Sequence, residues 1–209
     1  MRLLGPPNIR KLKTKKDVDA LTRALTYKKD AEVREAAARA LGDLSDDLIQ
    51  TVGNIWAAED LRAAAVARLA SIGEPALKPL LAKLKTREIL VRIDALSALE
   101  KMAGKIPEAN QTFYLNAIDR RDRELEQISR EIVPLTQLLN EAAAWAAKHE
   151  YPLYEEYPQY AAVQAIGKRI HRMAGHSGMW AAYYPVLETH RGLASFLDGM
   201  WHGIGTWRR

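Results

Sequence analysis

Three segments of this chain align without a gap: VREAAARALGDL from residue 33, LRAAAVARLASI from residue 61 and VRIDALSALEKM from residue 91. The intervals are 28 and 30 residues. Each segment opens on an aliphatic residue (Val33, Leu61, Val91) followed by an arginine (Arg34, Arg62, Arg92). Alanine falls four places after the opening residue (Ala37, Ala65, Ala95), leucine eight places after it (Leu41, Leu69, Leu99), and Leu44, Ile72 and Met102 three further on. Steps of four, four and three keep these side chains on one helix face, and small alanines in that face let a neighbouring helix approach closely. A recurring helix of this kind cannot bury its stripe alone, so the pattern constrains the chain to stack copies against one another.

Each copy follows another apolar-periodic stretch: DVDALTRALTY, LIQTVGNIWAAED and PALKPLLAKLK. The expected unit is therefore two antiparallel helices joined by a short link. IGEPALKPLL supplies a glycine stop and a proline-led helix start between two of them. Over roughly residues 8–104 these segments resemble HEAT-type repeats and are similar to the short bilin-lyase-like repeats. The resemblance implies an α-solenoid of about three helical pairs and a binding surface, with the second helix of each pair lining the concave side. It departs from that pattern in being short and in carrying Gly53 and Trp56 within the second repeat's first helix.

The repeat pattern stops after Gly104, so we expect two domains: a HEAT-like solenoid over 1–104 and a three- or four-helix bundle-like module over 105–209, all-α throughout. KIPEANQTFYLNAID reads as a joint and a short helix, followed by a long helix from about Arg120 to His149. Leu125, Ile128, Ile132, Leu135, Leu139, Ala142 and Ala146 form its seam, and Pro134 predicts a kink or break inside it. YPLYEEYPQY, residues 151–160, reads as a packed linker rather than a helix. A helix over Ala161–Met173 is expected to end at HSG, and Leu193, Phe196, Leu197, Met200, Trp201 and Ile204 form a last helical stripe closed by GIG.

The 209 residues contain no cysteine, which excludes thiolate nucleophiles, disulfides and Cys-ligated metals. No stretch has the length and apolarity of a membrane span, and no apolar leader precedes the repeats, so the expectation is a cytoplasmic protein with no membrane partner. The net charge of +5 lies in the first half, where 19 Lys/Arg face 14 Asp/Glu in residues 1–104, against 12 and 12 afterwards. Arg10, Lys11, Lys13, Lys15, Lys16, Lys28 and Lys29 are the candidate contacts for an anion or a nucleic acid. Arg34, Arg62 and Arg92 could form an anion ladder. Their identical placement suits a structural role better, with each bonding an acid or a carbonyl between repeats, Asp30 and Asp60 among the candidate acids.

No GxxxxGK[ST], GxGxxG or GxSxG run occurs, so phosphate loops and hydrolase elbows find no support. The paired His-Glu ligands of HEAT-like hydroxylases have one counterpart, His149-Glu150, outside the repeats. Trp56 beside Glu59 and Asp60 is a faint counterpart of the residues used by HEAT-like DNA glycosylases. His171, His176, His190 and His202, with Glu188 and Asp198, are the one group that could hold a metal, but their spacing matches no ligand motif and the glycines place His176 in a loop. The expectation is a non-catalytic protein-binding or scaffolding module without cofactor or metal, with a homodimer as one form. Trp56, Tyr183, Tyr184, Trp201 and Trp207 are its candidate interface residues. The alternatives are nucleic-acid binding through the basic N-terminal face, extending to a DNA-processing enzyme, and a small metal protein.

Overall fold

The computed structural model describes residues 6–102, 106–150, 153–189 and 191–207, and among these every regular element is helical. The chain groups into two compact units: Met1–Thr86 with Val91–Ile118, and Arg87–Leu90 with Asp119–Arg209.

The first unit contains α1 (Ile9–Thr14), α2 (Val18–Ala24), α3 (Ala31–Gly53), α4 (Glu59–Ile72) and α5 (Glu74–Lys83), then α6 (Ile89–Lys101) from Val91 onward and the first part of α7 (Glu108–Ala146). α3 is its centre and packs against α1, α2, α4 and α5. The local sequence explains where helices begin. Asn8, Asp17 and Asp30 each turn a side-chain oxygen onto the first-turn amides of α1, α2 and α3, the last at 2.8 Å from the Glu32 nitrogen. Gly73, at φ 74°, ends α4, and Glu74-Pro75 opens α5.

The alanine, leucine and final aliphatic positions that align in the three segments are all buried: Ala37, Ala65 and Ala95, Leu41, Leu69 and Leu99, Leu44, Ile72 and Met102. The opening position behaves differently. Val91 is buried and Val33 half-buried, whereas Leu61 is 58% exposed, against the expectation of one shared apolar face.

The expected link between VREAAARALGDL and LIQTVGNIWAAED is absent, because α3 runs from the first into the second without a break and ends at Gly53. Leu41, Leu44, Ile49 and Val52 stay on one buried stripe across the junction. Ser45, a residue that often starts or stops helices, instead turns its hydroxyl back onto the Leu41 carbonyl at 2.8 Å and is fully buried. Similarly, the expected joint and short helix before Arg120 form the opening of α7, which runs unbroken to Ala146. Pro134 does not break it: the proline lies on the exposed side, where the Arg130 carbonyl that loses its amide partner can turn to water.

In the second unit, Ile128, Leu135, Leu139 and Ala142 of α7 are buried, while Leu125 stays on the surface and Ile132 and Ala146 are half-buried. A 3-10 turn, Tyr154–Glu156, lies in the tyrosine-rich linker, and two of the linker's described tyrosines pack down. Tyr157 is buried and donates its hydroxyl to the Leu138 carbonyl at 3.1 Å, and the Tyr154 ring meets Phe196 edge-on at 5.8 Å.

α8 (Tyr160–Thr189) is two helical segments meeting at Gly175, whose φ of 69° and ψ of −163° are non-helical. α9 (Arg191–Met200) packs on α8, and residues 201–207 continue as turns. Gly167 permits one close approach. The Trp201 indole donates to the Val163 carbonyl at 3.2 Å, and a Cβ at Gly167 would lie 2.6 Å from that indole nitrogen. No described helix is long and apolar enough to cross a membrane.

Candidate functional site

The three repeated arginines are engaged within the first unit. Arg34 donates to the Tyr27 carbonyl at 2.9 Å, Arg62 to the Ala57 carbonyl at 2.8 Å, and Arg92 to the Thr86 carbonyl at 2.7 Å. Each guanidinium therefore fastens the link that precedes its own helix. Arg62 also reaches the next copy, bonding Asp94 at 2.9 Å with both side chains mostly buried. Burial pushes the Asp94 carboxyl above the usual aspartate range in spite of Arg62, with Glu59 adding repulsion. Asp30 and Asp60 are not the acids used. Asp30 caps α3, and Asp60 accepts the Leu61 amide at 2.9 Å.

The aromatic candidates separate by burial. Trp201 and Trp207 are fully buried and Tyr183 nearly so, which corrects their assignment to an interface. They form one cluster with Trp180, whose ring centroid lies 4.6 Å from Trp207 and 5.1 Å from Tyr183. Tyr183 also bonds Asp198 at 3.2 Å. Tyr184 is 54% exposed and Trp56 is 64% exposed, so these two alone of the five retain surface a partner could cover.

The histidine group does not assemble. Among the described residues no three His, Asp or Glu side chains converge as a metal-binding set, and His190 lies outside the described residues. His176 is not in a loop. It opens the second segment of α8 and is buried, its ring tilted against Trp207 at 5.4 Å and its Nδ1 3.3 Å from the Thr206 hydroxyl. Burial holds its imidazole below the ordinary histidine pKa, Glu88 opposes that shift, and His171 adds to it.

Glu88 has a larger role there. Its two carboxylate oxygens accept the His176 and Ser177 amides at 3.0 and 2.8 Å, capping the helical segment that starts after Gly175. A side chain at position 175 would collide with that carboxylate. In return, the Ser177 hydroxyl accepts the Leu90 amide in the first turn of α6 at 3.2 Å. Sequence reasoning missed this reciprocal cap; the glycine at position 175 was its one local sign.

A cleft of about 370 Å³ between α7 and α8 is lined by Arg123, Glu124, Gln127, Glu131, Arg169 and Met173, among others. Its central pair is closed: Arg169 grips Glu131 with two bonds of 2.9 and 2.7 Å and holds that carboxyl below the usual glutamate range. An acid fixed in its ionised form by a bidentate guanidinium is a clamp between helices rather than a proton donor near neutral pH.

Two accessible places in the first unit hold sequence-predicted candidates. One is the turn between α3 and α4, where Trp56 and Leu61 are exposed beside the acids Glu59 and Asp60. The other is the basic N-terminal edge, where Arg10, Lys11, Lys13, Lys15, Lys16, Lys28 and Lys29 are all exposed. No family model, no curated protein and no solved structure matches this chain.

Proposed function

We propose that this chain is a cytoplasmic, HEAT-like helical module that binds a protein partner through the turn between α3 and α4. The observation that carries this reading is the pair Trp56 and Leu61, 64% and 58% exposed at the start of α4. In the aligned segments the position of Leu61 is half-buried at Val33 and buried at Val91, so the middle copy is the one that leaves its opening residue open. An indole and a leucine on the surface contribute binding energy when a partner removes them from water. Glu59 and Asp60 beside them favour a partner segment that is apolar and positively charged.

The test is a photo-crosslinking residue at position 61 in cells, with the same residue at Val133, which is 73% exposed in the second unit, as the control. We expect a discrete protein adduct at position 61 that disappears in Trp56→Ala, a surface change expected to cost under about 0.5 kcal/mol of stability. An adduct with a second copy of the chain identifies a homodimer. Equal and non-specific labelling at both positions would refute the reading.

A further inference from the structure

The basic N-terminal edge is not explained by a protein-docking turn. Between residues 8 and 30, eight Lys/Arg face three Asp/Glu, which accounts for the whole net charge of +5. Two of the three acids, Asp17 and Asp30, are occupied with helix amides. α3 neutralises two of the cations, through Lys13–Asp43 at 2.5 Å and Lys16–Asp47 at 3.9 Å. Arg10, Lys11, Lys15, Arg23, Lys28 and Lys29 form no ion pair among the described residues.

Two of these cations, Lys11 and Arg23, line a groove. α1 and α2 enclose an open cleft of about 490 Å³ whose lining includes Asn8, Lys11, Leu12, Arg23, Ala24 and Tyr27, and no carboxylate. Lys11 and Arg23 bring positive charge from both helices, Leu12 and Ala24 give an apolar floor, and Tyr27 adds a half-exposed aromatic ring. A ligand matching this surface carries separated negative charges and a flat apolar ring. A duplex hides its base faces, and an inorganic polyanion has none. A single strand offers both phosphates and unstacked bases. We propose that the α1–α2 groove binds single-stranded nucleic acid without sequence preference, with phosphates on Lys11 and Arg23 and a base against Tyr27.

The test uses the full chain and a fluorescein-labelled oligothymidylate, followed by anisotropy across salt concentrations. Log affinity should fall with log salt by about 0.7 per phosphate contacted, so at least about 1.4 for two contacts. Lys11→Glu with Arg23→Glu should weaken binding at least about tenfold, as expected from removing the charges that hold the backbone. Tyr27→Leu, which leaves the Tyr27 carbonyl free to hold Arg34, should weaken it about fivefold or more by removing a stacking partner. Lys13→Ala with Lys16→Ala, already neutralised by α3, should change it far less. Circular dichroism verifies that each variant is folded. Absence of binding at low salt, or unchanged binding by the Lys11/Arg23 variant, overturns the proposal. So does equal competition by duplex DNA or polyphosphate combined with no effect of Tyr27→Leu, which would mark a general polyanion edge.

Discussion

Replacing Glu88 is the most informative perturbation of this fold, because one carboxylate closes the start of a helix whose first residues are buried. Glu88→Ala removes the acceptor from the His176 and Ser177 amides, bonds of 3.0 and 2.8 Å. Losing a helix cap costs about 0.5–2 kcal/mol, and losing a negative charge at a helix start costs about 0.3–1 kcal/mol more. Since His176 and Ser177 are 3% and 5% exposed, water can replace little of that carboxylate, so the expected loss lies in the upper half of the range, about 2–3 kcal/mol.

Glu88→Gln keeps one oxygen and turns an amide hydrogen toward a backbone donor, so it should lose about 1–2 kcal/mol. The assay is urea unfolding by tryptophan fluorescence in a Trp56→Phe background, which leaves Trp145, Trp180, Trp201 and Trp207 as reporters, all in the second unit. With a urea slope of about 2 kcal/mol per molar, Glu88→Ala should move the midpoint by about 1 M. A second signal separates the cap from general damage. The Glu88 charge supports the protonated form of His176, so Glu88→Gln should push the His176 pKa further down, as read by NMR. An unchanged midpoint in Glu88→Ala, or a His176 titration indifferent to Glu88→Gln, would refute the reasoning.

Three further outcomes follow from the same structure. His176 has a lowered pKa in the fold and its ordinary value near 6.5 when unfolded, so below that value the unfolded chain takes up a proton that the fold resists. The stability of the second unit should therefore be full above about pH 6.5 and fall as the solution is acidified, and His176→Asn should flatten that slope in unfolding measured across pH. Arg62→Met leaves Asp94 and the Ala57 carbonyl without their donor and should cost about 2–4 kcal/mol, whereas Asp94→Asn, which removes a carboxylate already penalised by burial, should cost under about 1 kcal/mol in thermal unfolding. Gly167→Ala places a methyl 2.6 Å from the Trp201 indole nitrogen and should cost about 1–3 kcal/mol despite the better helix former, with a change in near-ultraviolet circular dichroism.

The helical periodicity of the first half was legible because burial imposes it: alanine and leucine recur at the positions that meet other helices, and all nine are buried. The joints were less legible. Ser45 and the acids after it carry the composition of a helix boundary, and only the continuing stripe through Ile49 and Val52 keeps α3 unbroken. The arginine partners were legible as a class and not as residues, since a carbonyl is present at every position and only the folded link selects those of Tyr27, Ala57 and Thr86.

Among the aromatics, residue type could not separate Tyr183 from Tyr184, neighbours that point to opposite environments on one helix. The basic edge was visible as composition. The pairing of Lys13 and Lys16 with Asp43 and Asp47, and the groove between Lys11 and Arg23, depend on how α1, α2 and α3 pack. Glu88 could not have been assigned from spacing, because its partners lie 88 and 89 residues further along the chain.

That separation has a consequence for how the protein is made. At about 5–20 residues per second, the ribosome delivers His176 roughly 4–18 s after Glu88. During that interval the four residues Arg87–Leu90, which belong with Asp119–Arg209, sit between stretches of the first unit that are already synthesised or soon will be. The nascent chain must keep this short interruption accessible until the later sequence emerges. A gene cut between residues 118 and 119 would give one product carrying an uncapping glutamate and another carrying the helix it was meant to close.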